Sequence, residues 1–200
     1  KRFKKEAGVV GLACIGDGAA STGAVHEAMN QAGVEKLPLV LIVADNQFAY
    51  STPTSAQYAC KSLVDRAVAY GFAGHELEGN DLVSCLDVVG AAVRQARQGL
   101  GPQLIVANLL RLCGHGEHDD ASYIPPDLKK TGIGRDCLKI AEEYLLKQDF
   151  ADESTLTIWR AEAVQQVEEA VAKVQREPAP DPFAENWQAV STAVLAECPQ

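Results

Sequence analysis

Two short polar motifs offer oxygen ligands, and each directly follows an apolar run of the sequence. Gly16-Asp17-Gly18 follows the run 9–15, and Asp45-Asn46 follows the run 37–44. The Asp17 carboxylate, the Asn46 amide oxygen and the backbone carbonyl of Phe48 are the hard oxygen ligands that Mg²⁺ binds at about 2.0–2.1 Å. Glycine beside Asp17 lets a phosphate approach the backbone closely. The two motifs therefore predict a site for a magnesium diphosphate.

The first motif alone is weak evidence for a binding site, so the second motif is needed. Gly-Asp-Gly is ordinary turn chemistry, and most isolated copies bind nothing. Ser21 and Thr22 are predicted to cap a following helix, whose amino end attracts anions. A second oxygen ligand at the end of a second strand favours a binding site over a simple turn.

The residues between the two motifs narrow the class of site. Gly16-Asp17-Gly18 followed by Asp45-Asn46 resembles the thiamine diphosphate fingerprint. Further matching residues are Gly18-Ala19-Ala20, Gly23, Glu27, Asn30, Ala32 and Leu37-Pro38. With these, the chain resembles the C-terminal portion of the alpha subunit of thiamine diphosphate-dependent 2-oxo acid dehydrogenases, of the pyruvate, branched-chain 2-oxo acid or acetoin type. The resemblance runs from Gly8 to Tyr123 and fades afterwards.

The resemblance assigns roles to the fingerprint residues. It implies that Asp17, Asn46 and the Phe48 carbonyl bind Mg²⁺, and that Gly18 and Ala19 lie against the diphosphate of the cofactor. The family usually has asparagine where this chain has Asp45. That departure leaves the ligand set intact but adds negative charge near a diphosphate, which is expected to alter metal affinity.

A second motif lies in the loop 111–120 after the last predicted strand. The resemblance aligns His115 with a family histidine that reaches the cofactor and the reacting centre, so His115 is implied to be both catalytic and cofactor-binding. Histidine suits this role because it can donate a hydrogen bond and titrates near neutrality. Cys113 and Gly116 depart from the family pattern, and Gly116 replaces a regulatory serine of animal members.

The same loop permits two other interpretations. Cys113, His115, His118 and Asp119 have the ligand types of a zinc site, although their spacing matches no standard zinc pattern. A solvated acidic loop that binds nothing is the other alternative.

The alternation of patterns predicts an α/β fold, a parallel sheet with helices on both faces. Strands are predicted over 9–15, 39–44, 75–78 and 103–110, and helices over 22–33, 63–70 and 81–98. The first run is continuous, as expected of a strand buried on both faces. Asp81 is predicted to cap its helix, and Gly71 to end the preceding one. Ligands then bind at the carboxyl ends of the strands, where both motifs and the His115 loop fall.

The chain is predicted to divide near residue 125. Residues 1–124 form a partial thiamine diphosphate-binding domain, and residues 125–200 form a helical extension with helices over 135–147 and 153–176 and a tail around Trp187–Leu195. The family's alpha subunits carry further strands upstream, so we expect a fragment or truncated form whose sheet edge another segment covers.

The resemblance also implies a reaction and partners. Bound thiamine diphosphate decarboxylates a 2-oxo acid, and the acyl unit passes to a lipoyl group on an acyltransferase. A beta-type subunit supplies the glutamate that activates the aminopyrimidine, in a homo- or hetero-oligomer such as a heterotetramer. The chain alone is therefore expected to be inactive.

Composition sets outer limits on function. The 200 residues are 47% hydrophobic and 22% charged, enough for a core, and the net charge of −9 argues against a nucleic-acid surface. No apolar stretch is long enough for a bilayer. Six cysteines without a Cys-x-x-Cys pair favour a reducing cytoplasm. A non-catalytic assembly subunit, another thiamine diphosphate enzyme such as a transketolase-like one, and a plain nucleotide-binding domain stay open as alternatives.

Overall fold

A four-stranded parallel sheet and a two-stranded hairpin organise the protein, and a computed structural model describes residues 8–179. The strands are β1 (Gly11–Gly16), β2 (Leu39–Asp45), β3 (Phe48–Ala49), β4 (Thr52–Pro53), β5 (Ala73–Glu78) and β6 (Gln103–Asn108). The α-helices are α1 (Asp17–Ala20), α2 (Gly23–Val34), α3 (Arg66–Tyr70), α4 (Leu82–Arg97), α5 (Cys137–Lys147) and α6 (Glu153–Arg176). The parallel sheet has the order β1-β2-β6-β5, and β3 pairs antiparallel with β4.

Helices cover both faces of the sheet, as the sequence predicts. Along β2, Leu41 and Val43 pack into a core with residues of α2 and α3, whereas Val40 packs into a second core with residues of α4. Alternate side chains of β6 divide between the same two cores. In β2 and β6, the apolar run therefore corresponds to a strand that is buried from both sides. The α/β fold class is confirmed.

The edge strand β1 departs from the prediction. Its run was expected to be buried on both faces, but Leu12 is 57% exposed while Ala13 and Ile15 pack against the α2 core. Among the described strands, β1 pairs only with β2. The apolar run predicts a strand correctly, but it does not distinguish a central strand from an edge strand.

Helix termini confirm two predictions and correct one. The Asp81 side chain accepts a hydrogen bond from the Ser84 amide at 3.0 Å and caps α4. Gly71 ends α3 in the left-handed conformation, with φ of 70°. Thr22 does not cap α2 with its side chain; its hydroxyl instead donates to the Ala19 carbonyl at 2.8 Å. The reason is the short helix α1, which the sequence did not predict and whose last carbonyls need donors.

The described residues form two compact units, residues 8–148 and 149–179. The first contains the sheet and α5, and the second contains α6, so both predicted C-terminal helices form. A functional boundary at residue 125 stays a prediction, and the predicted tail around Trp187–Leu195 lies outside the described residues. Among residues 8–179, no helix has the length and apolarity that crossing a bilayer requires.

Candidate functional site

The register of the sheet brings the two fingerprint motifs to one edge. Gly16 at the end of β1 lies opposite Ala44 near the end of β2, so Asp17 and Asp45 follow at the same level. Helix α1 begins at Asp17 and lies against β3. A Cβ atom added to Gly18 would lie 2.6 Å from the Ala49 Cβ, well inside van der Waals contact. Glycine at position 18 is therefore required by packing against the hairpin, in addition to any role toward a phosphate.

Asp17 is a buried carboxylate without a cationic partner. Its side chain is 1% exposed, and Oδ2 accepts a hydrogen bond of 2.6 Å from Nε2 of Gln57. No lysine or arginine among residues 8–179 forms a salt bridge with Asp17. A buried charge is costly unless a counter-charge or a metal offsets it. The electrostatics of this position therefore suit a bound cation.

Asn46 and Phe48 form the turn that leads from β2 into the hairpin. The Asn46 Oδ1 accepts a hydrogen bond of 3.2 Å from the Phe48 amide, and an amide oxygen has a second lone pair for another partner. The Phe48 side chain is buried and packs against the Tyr123 ring at 5.5 Å between centroids. The turn thus holds Asn46 at the same sheet edge as Asp17, while metal ligation by Asn46 and the Phe48 carbonyl stays a prediction.

Asp45 is held inside the protein by its own partners. Its Oδ1 accepts from the Gln47 amide and from Gln47 Nε2, both at 3.1 Å, and Oδ2 accepts from the Tyr58 hydroxyl at 2.9 Å. Burial raises the pKa of Asp45, and the charge of Asp17 adds to that rise, while the Tyr58 and Gln47 hydrogen bonds oppose it. Burial and the bond to Asp45 also raise the pKa of Tyr58. The extra carboxylate is therefore satisfied by protein donors.

The segment after the hairpin supplies residues that the sequence analysis missed. Gln57 contacts Asp17, and Tyr58 contacts Asp45. Tyr58 and Asp45 also line a cavity of about 310 Å³. Its other lining residues are Gln47, Thr54, Ser55, Cys60, Lys61, Ser62, Glu76 and Asn108. The sequence shows this segment as a loop, and no pattern in it indicates which side chains turn toward the carboxylates.

Arg111 connects the His115 loop to the fingerprint turn. Its backbone amide lies 3.5 Å from the Asn46 carbonyl oxygen. Its guanidinium donates to the Tyr50 carbonyl at 2.7 Å and to the Tyr123 hydroxyl, and Nη1 lies 3.1 Å from Nδ1 of His115. The structure therefore brings the predicted catalytic histidine to the hairpin that follows Asn46.

The contact with Arg111 fixes the tautomer of neutral His115. An arginine guanidinium only donates hydrogen bonds, so the His115 Nδ1 must accept and the ring proton resides on Nε2. The Tyr50 ring packs edge-on against the imidazole, with 5.3 Å between centroids. Because His115 is otherwise exposed, its Nε2–H is available to donate a hydrogen bond to a ligand.

Both carboxylate oxygens of Asp119, which a zinc site would need as ligands, already accept hydrogen bonds within the loop. Its Oδ2 accepts from the His115 amide and the Tyr123 hydroxyl, both at 2.7 Å, and Oδ1 accepts from the Ala121 amide at 3.0 Å. These hydrogen bonds lower the pKa of Asp119 to about 2. Within residues 8–179, no three histidine, cysteine or acidic side chains converge as metal ligands. The zinc interpretation of this loop therefore has no geometric support.

Protonation of Asp119 is expected to release the His115 backbone. A lowered pKa in the folded state means that the stabilisation is present above the ordinary value of 3.8 and is lost as pH falls toward about 2. Asp119→Ala should remove the hydrogen-exchange protection of the His115 amide at neutral pH, because alanine has no acceptor, and wild type should approach the variant as pH falls through that window. Exchange rates corrected for their intrinsic pH dependence measure this.

Asp120→Ala is the matched control for that experiment. Asp120 is the adjacent carboxylate, and its pKa is also lowered, but it accepts its hydrogen bond of 2.9 Å from the Ser122 amide. Protection of the His115 amide that persists in Asp119→Ala, or that is lost equally in Asp120→Ala, would contradict the assigned contact.

The tautomer of His115 is expected to depend on Arg111. In wild type, ¹⁵N–¹H spectra of histidine-labelled protein, recorded where the rings are neutral, should show His115 only as the Nε2–H form. Arg111→Met should give a mixture of both tautomers, because Nδ1 then lacks its donor. Arg94→Met, on the exposed face of α4, should leave the His115 signals unchanged. A proton on Nδ1 in wild type would rule out the assigned hydrogen bond.

Comparison with known proteins places the chain in a family. A family model described as "Dehydrogenase E1 component" matches residues 2–183. The alpha subunit of acetoin:2,6-dichlorophenolindophenol oxidoreductase from Cupriavidus necator is 31% identical over 88% of this chain and 53% of its own length. The alpha subunit of 3-methyl-2-oxobutanoate dehydrogenase from Mycobacterium tuberculosis is 45% identical over 56% of this chain and 30% of its own length.

A human relative matches this chain with similar identity and coverage. The mitochondrial alpha subunit of 2-oxoisovalerate dehydrogenase is 32% identical over 84% of this chain and 38% of its own length. The chain thus spans about half, or less, of the curated relatives that it matches. The match of a family model to most of the sequence, together with these alpha-subunit relatives, shows that this chain belongs to the dehydrogenase E1 component family.

Proposed function

We propose that this chain is the alpha-subunit part of a thiamine diphosphate-dependent 2-oxo acid dehydrogenase. In this role it binds the magnesium diphosphate of the cofactor for oxidative decarboxylation of a 2-oxo acid and transfer of the acyl group to a lipoyl group. The observation that carries the proposal is the Asp17 carboxylate, which is 1% exposed at the end of a parallel strand and forms no salt bridge among the described residues. Family membership favours thiamine diphosphate chemistry, and the buried Asp17 carboxylate indicates where the magnesium diphosphate is proposed to bind.

The residues at this edge fit a hydrated magnesium diphosphate. Asp17, Asn46 and the Phe48 carbonyl offer three hard oxygens, and Mg²⁺ takes its other ligands from phosphate and water. The buried Oε1 of Gln57, beside Asp17, has no hydrogen-bond partner among the described residues, so a water or a ligand that donates a hydrogen bond would satisfy it. The backbone of Gly18 and Ala19 is proposed to lie against the diphosphate. When bound, thiamine diphosphate supplies the carbon nucleophile that makes loss of carbon dioxide from a 2-oxo acid feasible.

His115 is proposed as the catalytic hydrogen-bond donor of this chain. Arg111 holds Nδ1, so the proton on Nε2 points away from the arginine. A donor of this kind stabilises negative charge that develops on a phosphate or an oxo oxygen. Tyr50 and Asp119 restrict the ring and the backbone, which keeps the donor in place before a substrate arrives.

Acetoin is a second candidate substrate, in place of a 2-oxo acid. The relatives from Cupriavidus necator and Bacillus subtilis whose names mention acetoin match 88% and 86% of this chain. Relatives named for 2-oxoisovalerate match 85% and 84%, at similar identity. Both substrates present a carbonyl carbon to the same cofactor, so the site described here serves either reaction.

Binding of the cofactor is expected to require both Mg²⁺ and Asp17. Isothermal titration of the full-length protein should show thiamine diphosphate binding only with Mg²⁺ present. Asp17→Ala should weaken thiamine diphosphate binding by more than roughly 100-fold. Loss of a residue that only hydrogen-bonds to a metal ligand already lowers metal affinity by about 10–100-fold. Asp87→Ala, an exposed carboxylate on α4, should bind like wild type. Equal binding by wild type and Asp17→Ala would contradict the proposed site.

Turnover is expected to need a second subunit. We propose that a beta-type partner supplies the glutamate that activates the aminopyrimidine, and that a lipoyl-bearing acyltransferase accepts the product. The chain purified alone, with thiamine diphosphate, Mg²⁺ and pyruvate or a branched-chain 2-oxo acid, should therefore release no carbon dioxide, and addition of the beta-type subunit should restore release. Decarboxylation by the chain alone would contradict this division of labour.

A further inference from the structure

Gln57 is the described side chain that contacts the Asp17 carboxylate. Its Nε2 donates to Asp17 Oδ2 at 2.6 Å and to the Thr52 carbonyl of the hairpin at 2.9 Å. The first of these has the short length of a hydrogen bond to a charged acceptor. Gln57 lies 40 residues from Asp17 in sequence, so only the fold brings them together.

The orientation of the Gln57 amide follows from its partners. Asp17 Oδ2 and the Thr52 carbonyl oxygen are both acceptors, so the nitrogen must face them and the oxygen must face the other way. That oxygen, Oε1, is buried and has no hydrogen-bond partner among the described residues. A buried amide oxygen without a donor is costly, and it marks a place where a water or a ligand donor is expected.

The backbone of Gln57 is anchored as well. The Ser21 hydroxyl, directly after α1, donates to the Gln57 carbonyl at 3.3 Å. The residue is therefore tied on one side to the helix that begins with Asp17 and on the other to the hairpin that follows Asn46. A side chain anchored in this way holds its partner in a single rotamer, which is what precise ligand geometry requires.

We infer that Gln57 is the positioning residue of the metal site: Nε2 fixes the Asp17 carboxylate through Oδ2, and Oε1 accepts a hydrogen bond from a water of the cation's shell. This inference rests on the proposed function. Mg²⁺ retains several waters when it binds to proteins, and each is a strong donor. Gln57 thus acts through Asp17 and through water and does not itself ligate the metal.

Mn²⁺ binding to the full-length protein with thiamine diphosphate tests the inference by electron paramagnetic resonance. Gln57→Met keeps the length of the side chain but removes both hydrogen-bonding groups. This substitution is expected to weaken Mn²⁺ binding by roughly 10- to 100-fold. At saturating Mn²⁺ its spectrum should also differ from that of wild type, because Asp17 is free to rotate.

Gln31→Met is the matched control. Gln31 likewise donates from Nε2 to a carboxylate, but that carboxylate is Glu35 after α2, which is not a proposed ligand. Its Mn²⁺ affinity and saturated spectrum should match wild type. Thermal unfolding of each metal-free variant separates the two roles: a residue that only packs would lower the midpoint and leave the saturated spectrum unchanged.

The outcomes distinguish the inference from the proposed function. Loss of Mn²⁺ binding in Asp17→Ala, with weakened binding and an altered spectrum in Gln57→Met, supports both. If Asp17→Ala loses Mn²⁺ binding but Gln57→Met keeps the wild-type affinity or the wild-type saturated spectrum, the role of Gln57 is overturned and the metal site stands. Unchanged binding in Asp17→Ala, or no binding by wild type, overturns the metal site and the inference with it.

Discussion

The buried carboxylate of Asp17 is the constraint on which the arrangement of the site depends. Its side chain lies at the end of β1 with 1% exposure, and its described hydrogen-bond donor is the neutral amide of Gln57. A neutral donor replaces part of the lost hydration but does not cancel the charge. Helix α1, the hairpin and the loop residue Gln57 all meet at this carboxylate, whose electrostatic cost a cation would offset.

Much of the scaffold follows from sequence patterns, because they record burial. Residues 39–44 of β2 and 104–107 of β6 are apolar at every position, since helices cover both faces of these strands. Asp81 and Gly71 mark helix ends because a cap and a left-handed residue need those residue types. Burial of β1 was not predictable in the same way: whether a strand lies at the edge of a sheet is decided by its neighbours and not by its own residues.

The candidate site was predictable only where a residue type carries its own chemistry. Asp17 and His115 stand out by type and by family resemblance, but Gln57 and Tyr58 lie in a loop and resemble any polar surface residue. Their roles depend on contacts 40 and 13 residues away in sequence. The sequence does not show the tautomer of His115 either, because it is set by the guanidinium of Arg111, four residues earlier in the folded loop.

Asp45 shows how the site tolerates a second carboxylate beside the first. Burial is the largest effect that raises the pKa of Asp45, and repulsion from Asp17 adds to it. Tyr58 and Gln47 supply three hydrogen bonds to the two oxygens of Asp45, and all three residues line the same cavity. Asp17 accepts its described side-chain hydrogen bond from Gln57, the residue next to Tyr58. The two carboxylates thus differ in their donors: Asp45 accepts three described hydrogen bonds from protein groups, and Asp17, which accepts one from Gln57, is the carboxylate that we propose binds the cation.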